Sequence, residues 1–187
     1  MPGWLPYLIC WGVFATDPYQ PPMSDRYGAH VAFIDDFDGD GRTDLAVVSE
    51  FDHRPGSFDE ADFCGPGCGG EVSTESCAGS AQNDTGSVHV HLGLSDGTFT
   101  PEPQFSYFGL GRDDRLQRAV PVGDLNGDGL TDLLLGTTNS DASFASLSNN
   151  GSVSLLLGRS LASEASGRTQ LICNADWHFE GANANPR

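Results

Sequence analysis

The stretch Asp35–Glu50, DDFDGDGRTDLAVVSE, sets five Asp within ten residues directly ahead of an apolar run. Carboxylates that close repel one another unless a cation sits among them. The pattern returns as GDLNGDGLTDLLLG at Gly123–Gly136. In the first copy Asp36, Asp38, Asp40 and Asp44 take positions 1, 3, 5 and 9 of a nine-residue loop; in the second the same positions hold Asp124, Asn126, Asp128 and Asp132. Oxygen side chains at that spacing in a tight turn converge on one point, and the backbone carbonyl at position 7, of Arg42 or Leu130, is expected to face inward with them. That is the oxygen-only set of about six ligands that calcium takes. Gly41 and Gly129, at position 6, allow the sharp turn that a Cβ resists.

The donor set also selects among metals. Zinc or copper would want His or Cys. Magnesium keeps its waters and a rigid octahedron, which a protein-walled loop satisfies poorly. Two Ca²⁺ sites are therefore expected, the first, with four carboxylates, tighter than the second. An EF-hand is excluded: position 12, where that loop needs a bidentate Glu, is Val47 or Leu135 inside a strand pattern. A thrombospondin-type-3 array also uses short Asp-rich loops, but without strands of this length between them.

Working outward, the chain repeats itself around these loops. HVAFID (30–35) stands against RAVPVG (118–123), LAVVSE (45–50) against LLLGTT (133–138), and GSVHVHLG (86–93) against GSVSLLLG (151–158). The third strand comes later in the first unit, so an insert, 51–85, lies between its second and third strands. Fourth strands are expected at QFSYFG (104–109) and QLICNADWHF (170–179). No window shows a sustained 3.6-residue period. The fold class is all-β: about two four-stranded antiparallel propeller blades plus flanking strands. Residues 1–22 are expected to supply a strand completing a preceding blade, 23–110 the first blade and 111–187 the second, running into a third. Two blades alone leave apolar faces uncovered, so the chain is expected to be part of a larger propeller.

Composition narrows the function classes. The net charge is −17, from nine Arg, no Lys and 26 acidic residues. Such a surface opposes nucleic acid and anionic membranes, both of which need cationic contacts. The apolar start, MPGWLPYLICWGVFATD, lacks a basic leader region and is too short and Pro-broken to span a bilayer. Five cysteines, Cys10, Cys64, Cys68, Cys77 and Cys173, three of them in the insert, suit an oxidising compartment and a stapled surface loop. Their pairing is not legible from sequence.

The acidic loops, the third strands GSVHVHLG and GSVSLLLG, and the turn SDGTF resemble the FG-GAP family of β-propeller repeats, the integrin α-type or VCBS-like repeats. The resemblance covers most of the chain apart from about 51–85. It implies calcium loops at blade edges, with ligands at Asp36, Asp38, Asp40, Asp44, Asp124, Asn126, Asp128 and Asp132, extracellular placement, and roles in adhesion or ligand binding. The namesake Phe-Gly is present at Phe108–Gly109, whereas Gly-Ala-Pro is only echoed.

Four other patterns compete for attention. GLSDG (93–97) fits a nucleophile elbow on paper, but TFTPEP follows it where a helix would be needed, so a hairpin turn is expected. His89 and His91 alternate on one strand and share a face without a third ligand, which favours ordinary positions on a blade face. CGPGCGG with Cys77 lacks a zinc-knuckle spacing. Asn83-Asp84-Thr85 and Asn150-Gly151-Ser152 are glycosylation sequons, the second also a hairpin turn. The functional expectation is a calcium-binding extracellular module for adhesion, ligand binding or scaffolding, with a protein or carbohydrate partner. It is not expected to be an enzyme; a propeller-based hydrolase, lyase or sugar-active enzyme and a purely structural spacer are the alternatives.

Overall fold

The described residues form nine β-strands and no helix. The computed structural model describes residues 25–53, 84–109, 113–140, 150–159, 168–171 and 175–181. The strand expected within residues 1–22, all five cysteines and most of the insert lie outside these.

The first sheet is built by β1 (Tyr27–Ile34), β2 (Asp44–Ser49), β3 (Ser87–His91) and β4 (Phe105–Phe108), paired antiparallel in sequence order. The second sheet runs β5 (Leu116–Gly123), β6 (Asp132–Thr137), β7 (Ser152–Leu156) and β9 (Trp177–Glu180), again antiparallel. Each acidic stretch forms the β1–β2 or β5–β6 connection, so the repeat in sequence is a repeat in space. One expectation needs correcting. The ten residues at 170–179 do not form a single fourth strand. Arg168–Leu171 is β8, which pairs parallel to β4 and makes the first sheet five-stranded; only Trp177–Glu180 completes the second. The reason is length: β7 is five residues long and offers register only for Trp177–Glu180. The remaining chain instead covers the backbone edge that β4 would otherwise leave unpaired.

Alternation sorts the faces. Ala46, Val48, Val88, Val90, Phe105 and Tyr107 point one way from the first sheet and are buried; they meet Leu116, Ala119, Leu133, Leu135 and Leu156 of the second. Phe37, from the first acidic loop, closes this core and meets Phe105 edge-on, 5.6 Å between ring centres. Backbone bonds stitch the sheets at both ends: Leu116 N donates to the Thr85 carbonyl (3.0 Å), and Thr131 N to the Asp36 carbonyl (2.7 Å). The other face of the second sheet stays open to solvent at Val120, Val153, Trp177 and Phe179.

Candidate metal centre

Both acidic loops are shaped by the same hydrogen bonds, made by the same positions. The carboxylate at position 1 gathers amides from across the turn: Asp36 accepts from Gly39 N (2.7 Å) and Gly41 N (3.1 Å), and Asp124 from Gly127 N (2.7 Å), Asp128 N (3.1 Å) and Gly129 N (2.8 Å). Gly39 and Gly41 sit at φ +86° and +81°, and their counterparts Gly127 and Gly129 at +82° and +90°, a region closed to most L-residues. Positions 3 and 5 repeat a smaller turn, each accepting the amide two residues on: Asp38 from Asp40 N, Asp40 from Arg42 N, Asn126 from Asp128 N and Asp128 from Leu130 N.

Position 9 does something else. Asp44 and Asp132 are wholly buried. Asp44 accepts Phe37 N (2.8 Å) on one oxygen and Gly93 N (2.9 Å) on the other; Asp132 accepts Leu125 N (2.7 Å) and Gly158 N (2.9 Å). Each carboxylate thus clamps its own loop to the end of the third strand of its sheet. Burial pushes the Asp44 carboxyl up to about 6, against the two amide bonds and with the Asp38 and Asp40 charges adding to the rise.

The structure brings Asp36, Asp38 and Asp40 together, with one oxygen of each within 4.8 Å of the others. Asp38 is 5% exposed. Burial raises its carboxyl above the usual range, the Asp40 amide bond opposes this, and the Asp40 and Asp36 charges reinforce it. A half-desolvated carboxylate pressed against two others is the environment a cation relieves. In the second loop Asn126 replaces Asp38, its amide group donating to Asp128 Oδ2 (2.8 Å), and Asp124 is held below the usual carboxylate range, chiefly by the Gly129 amide. Arg42 pairs with Asp40 through its guanidinium, while Leu130 is half-buried beside Gly39 of the first loop. The donor chemistry at both loops, carboxylates and one carboxamide, fits a hard divalent ion. Val47 and Leu135, at position 12, are buried in β2 and β6.

GLSDG is a hairpin turn: Gly97 N donates to the Leu94 carbonyl (3.0 Å), Gly93 bridges Phe99, and Ser95 is exposed. His89 and His91 share a face, each bound into the protein. Tyr27 donates to His91 Nε2 (2.6 Å), while His91 Nδ1 donates to the Thr100 carbonyl (2.8 Å). His89 Nε2 meets Ser87 Oγ (2.7 Å) and Asp52 Oδ2 (3.2 Å), and its Nδ1 meets Ser106 Oγ (2.8 Å). Asp52 was not singled out from sequence. With His53, whose Nδ1 accepts Asp84 N (3.0 Å), it seals the neck from which the insert departs and to which it returns. A lone Asp at a strand end carries no periodic signal, so only the pairing of β2 with β3 reveals it.

Residues 117–156 match the FG-GAP repeat, and residues 77–135 match an FG-GAP-like repeat. The second match straddles the two sheets, from the approach to β3 into β6. Against curated proteins the chain has no match.

Proposed function

Since the chain carries FG-GAP repeats folded as β-propeller-like sheets, we propose that it is a calcium-binding extracellular module for adhesion, ligand binding or scaffolding. The observation that carries the calcium reading is the convergence of Asp36, Asp38 and Asp40 within 4.8 Å around a buried Asp38. The first ion would be held by these three, the Arg42 carbonyl and Asp44; the second by Asp124, Asn126, Asp128, the Leu130 carbonyl and Asp132. Bound there, the ion supplies positive charge that cancels carboxylate repulsion. The chain's own residues do the rest: the glycines set the turn, and the position 9 carboxylates pin each loop to its sheet.

Extracellular placement is supported by the repeat type, which is typical of extracellular proteins. Extracellular calcium modules bind in the range of about 10⁻⁴–10⁻³ M, which suits loops this exposed. Among the described residues no helix is long and apolar enough to cross a membrane. The partner is a protein or a carbohydrate, and the role is binding rather than catalysis: His89 and His91, the alternating pair outside the loops, are held by Tyr27, Ser106 and the Thr100 carbonyl.

Calorimetric titration of decalcified protein with CaCl₂ tests the reading. Two sites are expected, the one lost in Asp38→Ala being the tighter. Heat no greater than dilution would overturn it, as would equal binding by the double variant Asp36→Ala/Asp124→Ala.

A further inference from the structure

The two sheets set corresponding positions in the same register, yet one face is covered in the first sheet and open in the second. Across β1 to β4, Ala32, Ala46, Val90 and Phe105 form one row, and Val48, Val88 and Tyr107 the next. Across β5, β6, β7 and β9 the matching rows are Val120, Leu134, Leu155 and Trp177, then Gly136, Val153 and Phe179. Phe105 and Tyr107 are 2% and 1% exposed, in the core shared with the second sheet. Trp177 and Phe179 are 59% and 60% exposed and stack only on each other, ring centres 6.2 Å apart. We propose that this open face docks a further sheet of the same repeat, seated as the second sheet is seated on the first.

The contacts between the two sheets select the occupant. Phe37, second in its acidic loop, is wholly buried and packs on Phe105, whereas Leu125, second in the other loop, is 59% exposed. Backbone carbonyls repeat the contrast. Those of Asp36, Phe37 and Thr85 accept N–H groups from the second unit: Thr131 (2.7 Å), Arg159 (2.7 Å) and Leu116 (3.0 Å). The same places in the second unit belong to Asp124, Leu125 and Asn150. Thr85 and Asn150 correspond because each precedes a glycine, Gly86 or Gly151, whose carbonyl accepts Gly109 N or Gly181 N. Among the described residues no backbone N–H is bonded to these three carbonyls. Nor does any carboxylate stand in the open rows, although the chain carries 26 acidic residues. An apolar face of this kind leaves water against another apolar face. Leu116, Ala119, Leu133, Leu135 and Leu156 supply such a face to the first sheet, and a repeat that cannot bury its own is completed by a neighbour of its kind. The occupant therefore presents aliphatic side chains in that arrangement and three N–H groups where Leu116, Thr131 and Arg159 carry theirs.

The test extends the full chain by a second copy of residues 113–181, joined after Arg187, and is run in excess calcium. Amides at the appended positions corresponding to Leu116, Thr131 and Arg159 should exchange with deuterium about a hundredfold more slowly than in the same protein carrying Phe179→Asp. Phe179→Asp and Leu125→Ser change exposed side chains of the 187-residue chain. They should shift its melting temperature by about 2 °C or less, against about 6 °C or more in the extended chain. Unprotected appended amides, or equal shifts in the two proteins, overturn the proposal. So does sedimentation of the 187-residue chain as a dimer that Phe179→Asp dissolves, which would give the face to a second copy of the chain. The calcium titration is made on the 187-residue chain and reads the ions alone, so either reading can fail without the other.

Discussion

Asp44 and Asp132 are carboxylates removed from water, and each spends both oxygens on backbone amides, one in its own loop and one at the end of the neighbouring third strand. Replacing the acid by its amide leaves one N–H facing an NH₂ group. Asp44→Asn is therefore expected to cost about 1–3 kcal/mol in denaturant melts of the calcium-free protein. Asp132→Asn should behave alike, because its two bonds are the same. The raised Asp44 carboxyl also gives a pH signature. Its unfolded value is 3.8 and its folded value about 6, so between them the folded chain holds the extra proton. In calcium-free protein this group stabilises the fold progressively as pH falls from 6 towards 3.8, and Asp44→Asn removes that part of the pH profile. With calcium present the sign reverses, since protons then compete with the ion. A calcium affinity unchanged between pH 7 and pH 5 would contradict this.

Strands and loops meet most closely at Gly158, where the end of β7 passes the first loop. A Cβ there would overlap that of Leu130 and come 3.1 Å from the Thr131 carbonyl and 3.2 Å from that of Phe37. Gly158→Ala is expected to destabilise by about 1–3 kcal/mol through overpacking. Gly97, at φ +82° with open space around it, should lose only about 1–2 kcal/mol, from backbone strain. Thermal melts of the two variants in excess calcium would compare them. Eight of the nine strands were legible beforehand, because apolar alternation and the repeated loops mark them independently. β8 was not, since QLICNADWHF reads as one continuous run and the break depends on how few partners β7 offers. Boundaries shifted for a similar reason: Asp44 and Asp132 read as loop ligands and are also the first residues of β2 and β6. The turn made by positions 1, 3 and 5 is readable in the spacing, whereas the clamp made by position 9 reaches Gly93 and Gly158, residues far along the chain.

Across the whole molecule, 26 acidic residues face nine arginines, giving a net charge of −17. Without divalent ions the fold works against its own repulsion. Binding at a hundredfold excess over Kd adds about 2.7 kcal/mol per site. Two sites should then raise the melting temperature by about 10–20 °C over chelator, at about 2–4 °C per kcal/mol for a chain of this size. Sodium chloride should recover only part of this, because screening weakens distant charges more than carboxylates in contact. Differential scanning calorimetry with calcium, with chelator, and with chelator plus salt separates the two contributions. Equal melting temperatures with calcium and with chelator would remove the ion from the energetics of the fold.

The neck at the first sheet has a consequence for how such a molecule changes over time. Asp52 and His53 leave β2 beside Asp84 and Ser87, joined by His53 Nδ1 to Asp84 N, Gly86 N to the Asp52 carbonyl, and Ser87 Oγ to Asp52. Because these bonds close the ring at its base, the chain between them can lengthen at a logarithmic entropic cost, about 0.6 kcal/mol per doubling. A change of length between them leaves these closing bonds, and with them the pairing of β2 with β3, in place, which makes the neck a socket for evolutionary novelty.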